Sequence, residues 1–252
     1  MRLAASGLTD TGRKRDHNED AFLIDEGLRL YVVADGMGGH AGGGTASRLA
    51  VETIRDRLRE SREKSPEVFE ESASAEDGRL LEFLRLAVES ACAAIFKAAQ
   101  GDPTLAGMGT TVTAALFDGS TAFVAHVGDS RCYLLRKGRI YQISEDHSLV
   151  NEQLKAGVIT NDQARHSRFR NIITRSVGFE EEVQVDLMGL EVEPGDKMVL
   201  CCDGLSNLVQ DHEILKIADE TPLEDAPGKL VALANDRGGD DNITVVVVHT
   251  RE

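Results

Sequence analysis

Hydrophobic positions along the chain follow two rhythms. Short, nearly unbroken apolar runs at Leu30 to Ala34, Ala122 to Val127 and Met198 to Cys202 read as buried strands. Apolar residues at helical spacing predict two amphipathic helices. One spans 45–59 through Ala46, Leu49, Ala50, Ile54 and Leu58; the other spans 79–99 through Leu80, Leu84, Ala87, Val88, Ala91 and Ile95. Between them, residues 60–78 are polar and acidic, with Pro66 and several serines, and read as an exposed, irregular connection. The stretch from Gly36 to Gly44 is too rich in glycine for regular structure. Strands are expected at 2–8, 20–25 and 28–34. A meander follows, with strands over 110–117, 121–127, 131–136 and 139–143 and turns at Asp118-Gly119, Gly128-Asp129 and Lys137-Gly138. Residues 147–176 read as helical or irregular, 183–192 and 197–202 as strands, 211–219 and 222–236 as helices, and 243–249 as the last strand. Strand runs alternating with helix pairs imply a layered α+β fold.

Composition narrows the field. A chain of 252 residues, 41% hydrophobic, can bury a sizeable core. Its formal net charge of -15 sets it against a nucleic-acid backbone or an anionic membrane as partner. No apolar run is long enough to span a bilayer, and residues 1–10 lack a signal-peptide segment, so a cytoplasmic protein is expected. The four cysteines, Cys92, Cys132, Cys201 and Cys202, form no CxxC pair and read as reduced, buried thiols.

The chemistry lies in the acidic residues. They recur beside Gly or Asn in Asn18-Glu19-Asp20, Asp35-Gly36, Gly128-Asp129-Ser130, Asp203-Gly204 and Asp240-Asp241-Asn242, and several follow buried strands. Carboxylates at strand ends can converge in space although distant in sequence. An all-oxygen set suits Mg2+ or Mn2+. Asp-Gly alone also marks ordinary turns. Together, Asp35, Asp203 and Asp241 could hold two cations about 3.5–4 Å apart, a device that activates water and clamps a phosphoryl group. Arg15, four residues before Glu19, could bind two phosphoryl oxygens through its planar fork. Within Arg13-Lys14-Arg15 the local sequence alone favours a solvated surface charge.

The ordered set Gly12-x-x-Arg15-x-x-Asn18-Glu19-Asp20, Asp35-Gly36-Met37-Gly38-Gly39-His40, Gly109-Thr110-Thr111, Gly128-Asp129-Ser130-Arg131, Asp203-Gly204-Leu205 and Gly239-Asp240-Asp241-Asn242-Ile243-Thr244 resembles the metal-dependent protein phosphatases, the type 2C serine/threonine phosphatases, in their bacterial form. The likeness runs over about residues 2–250. It implies one domain over 1–252, a four-layer α-β-β-α sandwich of two antiparallel sheets flanked by helix pairs. It also implies roles. Asp35 bridges two Mg2+ or Mn2+ ions, the Gly36 carbonyl binds the second, and Asp203 and Asp241 bind the first. Glu19 and Asp20 orient water ligands. Arg15 receives the substrate phosphate, and Asp129 with Asp203 holds a weaker third ion.

Three positions depart from the family pattern. Met37 stands where eukaryotic relatives have a histidine proposed as general acid, and His40 follows three residues on, as in bacterial relatives; either His40 or a water could protonate the leaving alkoxide. Bacterial relatives often have Glu at Gly44 and Asp at Asn207. His126, His147 and His249 read as hydrogen-bonding residues rather than ligands. The basic stretch from about 148 to 176, carrying Lys155, Arg165, Arg168, Arg170 and Arg175, matches the family's flap beside the active site, although it reads as well as a solvated surface. The implied activity is hydrolysis of phosphoserine and phosphothreonine in proteins, opposing bacterial Ser/Thr kinases, by a monomer whose partners include a cognate kinase or its substrates. The competing reading is a phosphatase-like binding or partner-switching regulator with one dedicated phosphoprotein partner.

Overall fold

The strands that are apolar throughout can be buried on both faces only if helices or another sheet cover each side. The computed structural model, which describes residues 1–38, 42–70, 78–165 and 167–252, shows that arrangement. In chain order the strands are β1 (Arg2–Asp10), β2 (Ala21–Asp25), β3 (Leu30–Ala34), β4 (Gly36–Met37), β5 (Gly109–Thr110), β6 (Val112–Asp118), β7 (Thr121–Val127), β8 (Arg131–Arg136), β9 (Arg139–Gln142), β10 (Asp186–Glu191), β11 (Lys197–Cys201) and β12 (Ile243–Arg251). The helices are α1 (Gly42–Lys64), α2 (Pro66–Glu70), α3 (Gly78–Gly101), α4 (Leu149–Lys155), α5 (Asn161–Arg165), α6 (Asp203–Ser206), α7 (Asp211–Glu220) and α8 (Ala226–Asp236).

Two five-stranded antiparallel sheets form, ordered β1-β12-β11-β8-β9 and β10-β7-β6-β3-β2, with β4 and β5 as a small third sheet. Three apolar layers hold them. Tyr31, Val33, Val124, Cys132, Met198, Leu200 and Val246 pack between the sheets. Val32, Ala114, Phe123 and Ala125 face Ile54, Leu84, Val88 and Ile95 of α1 and α3. Tyr133, Val199, Val245 and Val247 face Ile214, Leu230 and Val231 of α7 and α8. Successive side chains of one strand thus enter different layers, as the period of two requires.

Three readings of the pattern need correction. Residues 60–78 are not one irregular connection. Helix α1 continues to Lys64, with Arg57 and Lys64 both paired to Glu60 on its wet face. Short helix α2 follows, burying Val68 and stacking Phe69 on Phe83. Nor is the Gly36–Gly44 stretch wholly irregular: Gly36 and Met37 pair with Thr110 and Gly109, and Gly42 opens α1. A Cβ on Gly36 would lie 2.1 Å from the Gly43 oxygen, so glycine serves close backbone approach here. Finally, β10 begins at Asp186 rather than 183, and α8 at Ala226 rather than 222.

Candidate metal centre

Asp35 follows the last residue of β3, in one sheet. Asp203 lies two residues after β11 and opens α6, and Asp241 lies two residues before β12. Strands β11 and β12 are neighbours in the other sheet. Asp129 sits in the turn where the chain crosses from β7 in one sheet to β8 in the other. All four reach one cleft of about 230 Å³, whose lining also includes Arg15, Glu19, Gly36, Asn171, Ile173 and Asn242. Asp240 is turned away and pairs with Lys14 at 2.6 Å.

Asp35 is held by its backbone. Its N–H donates to Thr111 Oγ1 (3.0 Å), and its carbonyl accepts from Thr111 N–H (2.8 Å) and Thr110 Oγ1 (2.8 Å). Thr111 Oγ1 also meets Ser130 Oγ at 2.8 Å, so a hydroxyl pair ties the Asp35 turn to the Asp129 turn. Asp203 Oδ2 accepts from Nδ2 of Asn207 (3.0 Å), the residue that caps the C-terminus of α6. Asp241 Oδ1 accepts from Asn242 N–H (2.9 Å) and Oδ2 from Arg15 (2.7 Å).

One amide fixes the segment that carries Arg15 and Glu19. Asn242 Nδ2 donates to the carbonyls of Thr11 and His17, both at 2.9 Å, and its Oδ1 accepts Glu19 N–H at 2.8 Å. Asp20 is buried beneath. Its Oδ2 accepts from Thr244 Oγ1 (2.6 Å) and Cys202 Sγ (3.0 Å). Asn18, Thr9 and Thr244 form a relay into it: Asn18 Nδ2 can only donate and an ionised carboxylate only accept, so the two hydroxyls between them point toward Asp20.

The electrostatics are those of crowded carboxylates in a dry place. Burial first, then Asp20, Asp203, Asp129 and Asp241, push Asp35 well above the usual carboxylate range. Burial first, and then Asp203, do the same to Asp129. Asp20 is raised to about 7, chiefly by burial, and Asp203 to about 6, by burial and the charge of Asp241. Four buried oxygens, Glu19 Oε1, Asp20 Oδ1, Asp129 Oδ1 and Asp203 Oδ1, have no hydrogen-bond partner. Leaving such acceptors unmatched is costly. Hard divalent cations fit this donor set, because they satisfy bare carboxylate oxygens and offset the mutual repulsion. Oxygens of Asp20 and Asp35 also approach Cys202 Sγ to within 4.8 Å; the thiol is driven well above its ordinary pKa by burial and then by Asp20, which keeps it a donor.

Of the residues singled out in sequence, Arg15, Glu19, Asp35, Gly36, Asp129, Asp203 and Asp241 line the cleft, and Asp20 stands behind it. His40 lies outside the described residues. His126 and His147 make hydrogen bonds and stand off the ligand set. Sequence reasoning gave no role to Asn242, Thr111, Ser130 or Thr244. Their signal was a place in one of the short motif segments, which shows that a position matters but not which group it grips.

Comparison with known proteins supplies the rest. A family model described as Protein phosphatase 2C matches residues 10–236. The chain is 36% identical over 244 residues to the serine/threonine phosphatase stp of Listeria monocytogenes, covering 95% of this chain and 93% of that protein. It superposes on the crystal structure of the Mycobacterium tuberculosis serine/threonine phosphatase PstP/Ppp with a TM-score of 0.89, at 35% identity and full coverage of both chains. A structure of the catalytic domain of PstP in complex with two manganese ions matches at TM-score 0.86 and 36% identity, covering 99% of each chain.

Proposed function

The chain belongs to the protein phosphatase 2C family and is a metal-dependent serine/threonine protein phosphatase, and we propose that Asp35, Gly36, Asp203 and Asp241 hold its two catalytic ions while Asp129 with Asp203 takes a weaker third. The observation that carries this assignment is the convergence of Asp35, Asp129, Asp203 and Asp241 on one cleft, in which Asp129 Oδ1 and Asp203 Oδ1 are buried without a hydrogen-bond partner. Mg2+ or Mn2+ bound there supplies a water that ionises near neutral pH and positive charge for the phosphoryl oxygens.

The chain's own groups do the remaining work. Arg15 stands half exposed at the rim of the cleft, with its guanidinium directed at Asp241. It receives the phosphoryl group of the substrate and holds it for in-line attack. Asp20 and Glu19 present acceptor oxygens that orient water, and Asp20 does so on a side chain whose other oxygen is locked by Thr244 and Cys202. Asn242 keeps the Arg15 segment in register with Asp241, so phosphate binding and cation binding share one scaffold. All four cysteines are buried, so none is placed to attack phosphorus.

Substrates are phosphoproteins. We assign residues 1–252 to one catalytic domain, with 148–176 as its flap, acting in the cytoplasm against a cognate kinase or its targets. Among the described residues no helix is long and apolar enough to cross a membrane. Release of phosphate from phosphoserine and phosphothreonine peptides, with Mn2+ binding followed by calorimetry in parallel, tests the assignment. Asp35→Asn should abolish turnover and weaken Mn2+ binding; unaltered Mn2+ binding would remove Asp35 from the ligand set.

A further inference from the structure

Asp129, whose carboxylate Oδ1 has no hydrogen-bond partner, sits in the turn between β7 and β8. His147 fixes it. The ring Nδ1 accepts Gly128 N–H at 3.0 Å, and the His147 backbone N–H donates to the Gly128 carbonyl at 2.7 Å. One residue thus grips both polar backbone groups of the residue before Asp129. Gly128 has little freedom to move away. Its φ is +110°, and a Cβ there would lie 2.5 Å from Thr111 Cγ2.

The same histidine reaches the other way. Because Nδ1 accepts, the neutral ring carries its proton on Nε2, which donates to Asp186 Oδ2 at 3.1 Å and has Arg175 Nη1 3.0 Å away as a neighbouring cation rather than as its donor. Asp186 Oδ1 accepts from Arg175 at 2.6 Å. Burial and the nearby Arg175 charge hold the ring below its ordinary pKa, which agrees with an accepting Nδ1. The His147 carbonyl accepts Thr174 N–H at 2.9 Å, Ser148 bridges Ile173, and Leu149 N–H donates to the Ile172 carbonyl at 2.9 Å. Segment 148–176 therefore leaves and returns beside His147, and two residues near its return, Asn171 and Ile173, line the cleft.

We propose that His147 is a positioning residue that couples the Asp129 carboxylate to the base of segment 148–176, so that cation binding at Asp129 and the placement of Asn171 and Ile173 in the cleft are mechanically one event. The proposal rests on the reading of Asp129 as a cation ligand. Such orienting partners typically govern ten- to hundredfold in metal affinity or activity. His147 meets the Gly128 backbone rather than the carboxylate, so about tenfold is the expected scale.

The test uses the full chain with Mn2+, reading Mn2+ binding by calorimetry and amide hydrogen exchange at Gly128 and Thr174. His147→Ala should raise exchange at both amides and weaken the weakest Mn2+ site about tenfold, leaving the tighter sites unchanged. It should add no further loss of Mn2+ affinity in an Asp129→Asn background. His147→Asn, whose side-chain oxygen can stand in for Nδ1, should restore protection of Gly128 but not of Thr174. If His147→Ala does not fold, Asp186→Ala carries the same exchange measurement, since it removes the acceptor that orients the ring. Unchanged Gly128 exchange in the folded variants, or additive losses in the double variant, overturns the coupling. Unchanged Mn2+ binding in Asp129→Asn alone overturns the assignment of Asp129, and with it the cation half of the proposal.

Discussion

Replacing Arg15 with alanine separates the two jobs its guanidinium could do. In the structure it donates to Asp241 Oδ2 at 2.7 Å, with about half of its side-chain surface open to water. An ion pair that exposed is screened, and its contribution to stability is about 1 kcal/mol at most. For a chain of this length that is a Tm change of about 2–4 °C. The segment itself should hold, because Asn242 grips it at Thr11, His17 and Glu19 rather than through Arg15. Catalysis should suffer far more. A charged hydrogen bond to the phosphoryl group is worth about 1.5–3 kcal/mol, or roughly ten- to hundredfold in kcat/KM. The assay is steady-state hydrolysis of p-nitrophenyl phosphate at saturating Mn2+, with thermal melting of the same samples. KM should rise, and Arg15→Lys should recover only part of the loss because a point charge lacks the planar fork. Unchanged kcat/KM at an unchanged Tm would refute the phosphate role and return Arg15 to an ordinary surface charge.

Three further outcomes are expected. Excess EDTA should abolish activity, and Asp203→Asn, which keeps shape but removes a charged ligand, should lower kcat at least about a hundredfold while the fold persists; near-normal kcat at saturating Mn2+ would show that Asp203 is no ligand. Arg170 lines a small recess beside the cleft with Asn171 and Leu208, and Arg168 lies over the ring of Phe169; replacing both arginines with alanine should reduce kcat/KM for phosphoproteins more than for p-nitrophenyl phosphate, with the difference shrinking as salt rises, and equal losses on both would place them in folding or in the catalytic machinery. His126, buried between Thr113 and the Glu145 carbonyl, has its pKa lowered to about 4 by burial first and by His147 next, against 6.5 for the free side chain. The unfolded chain then binds the extra proton between those values, so stability is full above pH 6.5 and falls by up to roughly 3 kcal/mol as pH drops to 4; chemical denaturation across that range should show a flatter slope for His126→Gln, and an equal slope would refute the assignment.

How much of this was legible in the sequence depended on what each residue answers to. Strands such as Thr121–Val127 and Arg131–Arg136 appear where the apolar pattern puts them, because burial on both faces leaves one reading of the run. The carboxylates of the cleft were legible for a related reason: each follows or precedes such a strand. The errors fell where local composition and tertiary contact disagree. Residues 60–64 look too polar to continue a helix, yet none of them has to reach the core, and Glu60 pairs with Arg57 and Lys64 along the wet side. The glycines of 36–44 look like a loop, yet the backbones of Gly36 and Gly43 pass too close for any side chain between them. Least legible were the grips of Asn242 and of His147 Nδ1 on main-chain groups, since a residue that grips backbone shows no complementary residue type in the sequence.

The cleft straddles the seam between two sheets: Asp35 hangs from β3 on one side, while Asp203 and Asp241 flank β11 and β12 on the other. An ion shared by these residues is a rivet through the sandwich. Its binding free energy enters the cohesion of the two halves, so the melting temperature becomes a gauge of free divalent cation. The reverse also holds. Residues such as Met198 and Val246, packed between the sheets, set how far apart the halves of the ligand set stand. A methylene lost there changes the gauge of the seam, and the enzyme would register it as altered cation affinity.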